Sequence, residues 1–392
     1  MKEGWRWYGP EDPVPLEHIR QAGATDIVTA LHDIYDGQVW PQDRIAARQA
    51  EVATVGLTWS VVESIPVPQA IKTGAAGSDA AIQRFIQTMR NVAACGIPVI
   101  CYNFMPVVDW TRTDLRFPAP NGGLALRFDP AAFAAYDIFV LKRSGATHNY
   151  TADQFTAAET AFAAMDADQI QTLETTIIAG LPGAEGHHTR DGIRALIAEY
   201  DGVDDDALRA NLIAFQSAIV PVAEELGLRL AIHPDDPPWS LFGLPRVVSQ
   251  ASDYDALFSA NPDQANGVTF CTGSLGARAD NDLPAMLQTL VARIHFAHLR
   301  NVQREVSGAF FEADHLEGST DIIEIVDLLL AEERRRRADG RTDHSIPMRP
   351  DHGHLLLDDL TKTTLPGYSA IGRLKGLAEL RGAMRALERA HG

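Results

Sequence analysis

Cysteine is scarce in this chain: Cys95, Cys101 and Cys271 are the only three among 392 residues. An odd, small number in so long a chain excludes a disulfide framework and suits a reducing compartment. Basic charge is also in deficit. Lys and Arg number 34 against 52 Asp and Glu, for a formal net charge of −18. Nucleic acid demands the opposite sign, so that partner class is set aside, and an anionic membrane surface is disfavoured. No apolar run approaches the roughly 20 residues of a membrane span. Met1-Lys2-Glu3-Gly4-Trp5 opens directly into folded-looking sequence without a signal-peptide pattern. A Gly-rich phosphate loop is missing too, since neither Gly180-Leu181-Pro182-Gly183 nor Gly273-Ser274-Leu275-Gly276 has its spacing. These absences predict a cytoplasmic protein with no nucleic-acid partner and no membrane partner.

What the chain does contain is alternation. Short apolar runs alternate with longer segments of helical spacing. The runs are Arg6-Trp7-Tyr8, Asp26 to Leu31, Leu57 to Val62, Pro98 to Tyr102, and four more ending at His233, Cys271, His298 and Asp351. Helical segments follow each run, for example Asp79 to Ala94 with Ile82, Phe85, Ile86 and Met89 on one face. The basic run Arg334 to Arg337 reads as a helix end, where cations meet the negative end of the dipole. Eight strand–helix units predict an α/β fold, a closed (β/α)8 TIM barrel forming a single catalytic domain over residues 1–392. The pattern lapses between about residues 107 and 206. Trp110 to Arg127 reads as irregular or a hairpin, and Thr151 to Ala179 as alanine-rich helix. This block is read as an insertion after strand four, of the kind that caps a site or makes subunit contacts.

Barrel enzymes build their sites at the C-terminal ends of the strands. Here those ends carry His32, Glu63, Asn103, His233, Cys271, His298 and Asp351, a polar residue at seven of eight. His233, Cys271, His298 and Asp351 together make a divalent-metal set. Imidazole, thiolate and one carboxylate point to a first-row transition metal rather than Mg or Ca. His295 lies three residues before His298 and faces the other side of the strand, so it is read as structural. Cys95, at a helix end, and Cys101, inside a strand, are read as small packing residues.

Several stretches resemble one known family, the mannonate dehydratases. They are Arg6-Trp7-Tyr8-Gly9, His233-Pro234-Asp235-Asp236-Pro237-Pro238, Phe270-Cys271-Thr272-Gly273-Ser274, His298-Leu299-Arg300-Asn301, Arg349-Pro350-Asp351-His352-Gly353-His354 and Pro366 to Arg373. The resemblance spans nearly the whole chain. It implies a xylose-isomerase-like barrel and a hydro-lyase that converts D-mannonate to 2-keto-3-deoxy-D-gluconate in hexuronate (glucuronate) breakdown. It implies Fe(II) or Mn(II) held by His233, Cys271, His298 and Asp351, with His352 and Tyr368 as the acid–base pair. A homo-oligomer, a dimer, is expected.

The chemistry fits those residue types. Dehydrating a 2,3-dihydroxy acid removes the proton on C2 and expels the C3 hydroxyl. The resulting enediolate needs a cation, and hydroxide needs a general acid to leave. Which of His352 and Tyr368 takes the proton and which gives one is open at this level. The substrate carboxylate calls for a guanidinium; Arg300 is the first candidate, with Arg349 and Arg373 as alternatives. Asn103 and His315 are expected to reach the substrate as well. Two other readings are weighed. A sugar isomerase on this type of barrel would use several Glu and Asp ligands, whereas this set has one carboxylate and a thiolate. A non-catalytic carbohydrate- or metal-binding barrel would leave His352 and Tyr368 without purpose.

Overall fold

A computed structural model describes residues 1–35, 37–179 and 189–391. Eight parallel strands close a barrel in the order β1 (Lys2–Arg6), β2 (Asp26–Thr29), β3 (Thr58–Glu63), β4 (Val99–Tyr102), β7 (Arg229–Ile232), β8 (Asn266–Cys271), β9 (Ile294–His298) and β12 (Pro347–Arg349). This is the barrel that the alternation predicts. Strands followed by helices must run parallel, and the crossover helices cover the outer face.

A second sheet lies beside the barrel mouth. It is antiparallel, in the order β10 (Val302–Arg304), β11 (Phe310–Glu312), β6 (Leu124–Phe128), β5 (Asp114–Pro118). Its β5–β6 hairpin comes from the segment expected as an insertion, and its β10–β11 hairpin from the loop after β9. That second hairpin is absent from the sequence reading. The remainder of the segment before β7 is helical. The single helix expected over Thr151 to Ala179 is two, Ala152–Ala163 and Ala167–Ala179, because Thr151 and Gln154 form a capping box for the first and Asp166 pairs with the Gln169 backbone at the start of the second. The first strand also lies earlier than expected, at Lys2–Arg6 rather than Arg6 to Tyr8. Lys2 and Glu3 pair with Pro347 and Met348 of β12 and close the barrel there. Gly180 to Gly183 lies outside the described residues. No helix among the described residues is long and apolar enough to cross a membrane.

Two hydrophobic cores hold the barrel, and a third, small one around Ala134, Ala135 and Ala158 packs the helices of the insertion. The larger barrel core lies between strands and helices and includes Ile27, Val62, Ile100, Leu230, Phe270 and Met348. The smaller barrel core is Val28, Val61, Val99, Cys101, Ala231 and Phe296. All six are strand residues whose neighbours along the chain pack outward, so they fill the barrel interior. They form the floor on which the mouth residues stand.

Candidate active site

Side chains in a strand alternate between faces, so the residue two beyond an interior one also points inward. Val61 is followed by Glu63, Cys101 by Asn103, Ala231 by His233, and Phe296 by His298. Thr269, whose hydroxyl donates to the Ala231 carbonyl at 3.0 Å, is followed by Cys271. Inward register therefore delivers the strand-end residues to the mouth, directly above a floor of small side chains and one phenyl ring. The Phe296 ring lies edge-on to His298, 4.6 Å between centroids.

Three of the expected ligands converge. One donor atom each from His233, Cys271 and His298 lies within 4.8 Å of the others, and all three residues are buried. His233 Nε2 is 3.2 Å from His298 Nδ1. Asp351, the fourth expected ligand, stands beside this group, its Oδ2 3.8 Å from His298 Nδ1 and 3.9 Å from Cys271 Sγ. Ligands bound about 2.0–2.3 Å from a tetrahedral centre stand roughly 3.3–3.8 Å apart, so this spacing fits a transition metal. The donor chemistry agrees. The Nδ1 of His233 lies 2.6 Å from the Pro234 carbonyl, which fixes the proton there and frees Nε2. Burial alone would raise the Cys271 thiol, but Arg300 and then a hydrogen bond with His298 pull it below its ordinary value, toward thiolate. Asp351 has φ +66, a left-handed conformation unusual for a residue other than glycine. Backbone held in such a region is common at ligand sites.

Around the donors lie four guanidiniums and four carboxylates, all buried: Arg6, Arg112, Arg300 and Arg349 with Glu63, Asp236, Glu312 and Asp351. Arg349 grips Glu63 through Nε (3.1 Å) and Nη2 (2.8 Å) and places Nη1 on Asp351. Arg6 reaches the same Glu63 at 3.0 Å. Arg112 binds both oxygens of Asp236, at 2.8 and 3.1 Å, and Glu312 at 3.0 Å. Arg300 spans Asp236 and Glu312, each at 2.6 Å, and its Nε lies 3.1 Å from Asp351. Burial pushes these acids up, yet the guanidiniums win: Arg349 and Arg6 hold Glu63 well below the usual carboxylate range, and Arg300 and His352 bring Glu312 down to about 2. Gly273 allows the crossing of Arg300, since a Cβ there would stand 2.1 Å from its Nε.

Glu312 also fixes His352. Its Oε1 is 3.1 Å from Nδ1, while Arg300 Nη1 is 3.2 Å from the same nitrogen. Arg300 Nη1 is much closer to the carboxylate than to the ring, so Glu312 draws both N–H groups. This assigns the proton to Nδ1 and leaves the lone pair on Nε2, 3.7 Å from Asp351 Oδ1. Tyr368 stands edge-on to His352, with 5.1 Å between centroids. Burial, opposed by Arg349, keeps its phenol above the ordinary value, so it holds its proton at neutral pH.

The other expected contacts separate. Arg300 and Arg349 adjoin the donor group, each already engaged with carboxylates. Asn103 is buried at the end of β4, with its side-chain oxygen 3.3 Å from the Met105 N–H. Arg373, whose guanidinium lies over the Tyr368 ring, is engaged by backbone: it donates to the Arg6, Tyr368 and Ser369 carbonyls. His315 does not reach the mouth either. Its Nε2 meets the Pro350 carbonyl at 2.7 Å, and the ring packs on Gly376 of the last helix, where a Cβ would clash at 2.1 Å. The expected sugar contact from His315 is therefore corrected, since the ring is held from behind as a prop for the Asp351 segment. His354 is likewise structural, 2.8 Å from the Glu312 carbonyl. His295, as expected, lies away from the site, on the Gln264 carbonyl at 2.9 Å. The sequence reading missed Asp236, Glu312 and Arg112. The first stands in a motif already quoted, and the second ends a short aromatic run, Phe310-Phe311. Arg112 lies in irregular chain and carries no local signal.

A family model described as "UxuA: D-mannonate dehydratase (UxuA)" matches residues 1–392. The chain is 56% identical over 389 residues to mannonate dehydratase 2 of Agrobacterium fabrum (strain C58), covering 99% of this chain and 98% of that one. The crystal structure of mannonate dehydratase from Streptococcus suis serotype 2 matches with TM-score 0.79 at 34% identity, covering 100% of this chain and 96% of that one. A xylose isomerase domain protein from Planctomyces limnophilus matches with TM-score 0.50 at 8% identity, covering 99% and 98%, a likeness of fold alone.

Proposed function

The chain belongs to the D-mannonate dehydratase family, and from that premise we propose a mechanism in which His352 and Tyr368 act on opposite ends of one elimination. The protein is an enzyme, a hydro-lyase that takes D-mannonate to 2-keto-3-deoxy-D-gluconate, here assigned to hexuronate breakdown. The observation that carries the mechanism is the setting of His352: Nδ1 held by a buried carboxylate, Nε2 turned to the donor group.

His352 Nε2 takes the C2 proton. The carboxylate of Glu312 stabilises the imidazolium that results. The Tyr368 phenol gives its proton to the departing C3 oxygen, which leaves as water. The enol then ketonises. The proton on His352 goes to C3, and the enol O–H proton returns to Tyr368, so one water is lost and both residues end as they began. His233, Cys271, His298 and Asp351 would hold a divalent transition metal, Fe(II) or Mn(II) in this reading, which would supply positive charge against the negative charge that develops on the substrate.

Charge bookkeeping supports the substrate class. The four guanidiniums and four carboxylates cancel; a thiolate at Cys271 would leave one negative charge, and a divalent cation held there would bring the site to one positive charge, which suits a monoanionic sugar acid. Arg300 and Arg349 are proposed to face its carboxylate and Asn103 one of its hydroxyls. The three free cysteines agree with a cytoplasmic setting, and a homodimer is proposed, to be read by light scattering.

The test is proton exchange. Metal-loaded protein incubated with D-mannonate is expected to release a 2-keto-3-deoxy acid; an aldose–ketose product would mean an isomerase, and binding without turnover a binding barrel. His352→Ala and Tyr368→Phe should both lose turnover and keep metal. In deuterated water Tyr368→Phe should still exchange the C2 hydrogen, and His352→Ala should not. The reverse pattern would exchange the two roles, and loss of metal from either variant would move that residue into the ligand set.

A further inference from the structure

The ring nitrogens of His233, His298 and His352 all have polar neighbours at the mouth. Those of His32 do not. Both its Nδ1 and Nε2 are shielded from solvent, and neither has a hydrogen-bond partner among the described residues. Buried polar atoms are nearly always met, and an unmet pair in one ring needs an explanation. His32 lies in the turn that follows β2, at the same end of the barrel as the other strand-end residues. Its ring lies 5.2 Å from that of Tyr8 and 6.1 Å from that of Tyr35, centroid to centroid. Tyr8 in turn stands 4.9 Å from Tyr368. The two steps put His32 at most about 10 Å from Tyr368, on the side of the rim away from the metal donors.

That distance matches the substrate. An extended six-carbon chain spans about 6 Å between its end carbons, and its hydroxyls reach farther. With C2 and C3 between His352 and Tyr368, and the carboxylate toward Arg300 and Arg349, the remaining carbons run toward β1 and β2. We propose that His32 is a specificity residue that reads the hydroxyl tail of the sugar acid, one ring nitrogen donating to a hydroxyl and the other accepting from one. Burial, then Arg6 and Arg48, keep the ring neutral. A neutral imidazole offers one donor and one acceptor. That is the pairing a hydroxyl pair takes, and one that a carboxylate does not. The inference rests on the dehydratase reading for the orientation of the substrate.

The experiment compares D-mannonate with a four-carbon 2,3-dihydroxy acid of matching configuration, which lacks the tail. Binding is measured by calorimetry on the metal-loaded protein, and kcat/KM where turnover occurs. His32→Leu, which keeps an apolar body between Tyr8 and Tyr35, should weaken D-mannonate binding about 10- to 100-fold, the range for one or two lost hydrogen bonds to a buried site. It should change the short acid less than twofold, and His32→Asn, which restores a donor and an acceptor, should recover part of the loss. Equal losses on both acids, or none on either, would overturn the role. If the wild type binds D-mannonate without dehydrating it, the dehydratase reading fails while the binding comparison still decides His32. If the wild type binds neither acid, both readings fall. Unchanged metal content and thermal midpoint in His32→Leu exclude misfolding as the cause, and His32→Asn serves alone if the Leu variant does not fold.

Discussion

The barrel rim and the sheet beside it both furnish the site, but they do so by different physics. The rim places residues by register. Each strand is fixed on both edges, and the donor at its end is aimed by the alternation beneath it. His233, Cys271 and His298 sit on such strands, with Ala231, Thr269 and Phe296 two residues below. The second sheet places residues by charge. Its strands β10 and β11 are three residues each, and β5 alternates with its outward face exposed. Phe128, Val302 and Phe310 of this sheet join the main core, and a set of ion pairs adds to the tie: Arg112, just before β5, on Asp236 and Glu312, and Glu312 on Arg300. The rim therefore holds the proposed metal donors, and the sheet sets His352, the proposed proton carrier. If this division is right, damage to the two regions should separate in kind.

The largest effect is expected on the rim. Cys271→Ala should strip the metal and reduce turnover to background, because a three-ligand remnant loses its only thiolate. Metal analysis of the purified variant reads this directly, and full retention of metal would remove Cys271 from the ligand set. On the sheet, Arg112→Ala should leave metal content unchanged but cost about 3–5 kcal/mol of stability, since Asp236 and Glu312 remain buried with a partner missing. Urea denaturation measures it. A loss below about 1 kcal/mol would mean that Arg112 does not tie the sheet down.

Acid should act on the same ion pairs. The Glu312 carboxyl is depressed from an ordinary 4.5 to about 2, chiefly by Arg300 and His352 against the opposing effect of burial. A depressed carboxyl stabilises the fold fully above its unfolded value and loses that contribution as pH falls through its folded one. The window is thus from about pH 4.5 down to about pH 2, and the contribution is at most about 3 kcal/mol. The stability gap between wild type and Glu312→Gln should shrink across that window. A gap that stays constant with pH would mean that the charge of Glu312 contributes nothing. At neutral pH the same variant should bind metal normally and lose about 100-fold in kcat with little change in KM, as expected for a group acting through a general base. Loss of metal from Glu312→Gln would break the proposed separation.

The same contrast explains what could be read from the chain alone. Repetition made the barrel legible: eight short, mostly apolar runs, each followed by a helix, and polar residues where the runs stop. His233, Cys271, His298 and Asp351 were visible because a strand end is a position that the pattern itself marks. Arg112 and Glu312 were not, because their importance arises from contacts across 200 residues of sequence separation. The β10–β11 hairpin was missed because Val302-Gln303-Arg304 is too short and polar to stand out as a strand. Its partner β6 lies about 180 residues earlier and supplies the pairing that Val302 to Glu312 lacks alone. His315 was misplaced for the opposite reason. A histidine in a loop looks available, and only Gly376 of the last helix, with room for a ring where any side chain would clash, shows that it is packed from behind.

The smallest expected effect tests how far into the second sheet the site extends. Val306 occupies the turn between β10 and β11 and is fully exposed. It lies only six residues from Glu312, yet strand alternation and the turn carry it to the outer end of the hairpin. Nothing in the charge network reaches it. Val306→Ser should therefore leave kcat unchanged and shift stability by no more than about 0.5 kcal/mol, the usual range for a surface site. If it instead slows turnover, the hairpin acts as one rigid lever from tip to base, and register would govern the sheet as it governs the barrel. If it changes only the mass seen by light scattering, the tip belongs to a contact between copies of the chain, and the hairpin has two independent ends. An inner end sensitive to a single charge beside a silent outer tip is what placement by local ion pairs requires.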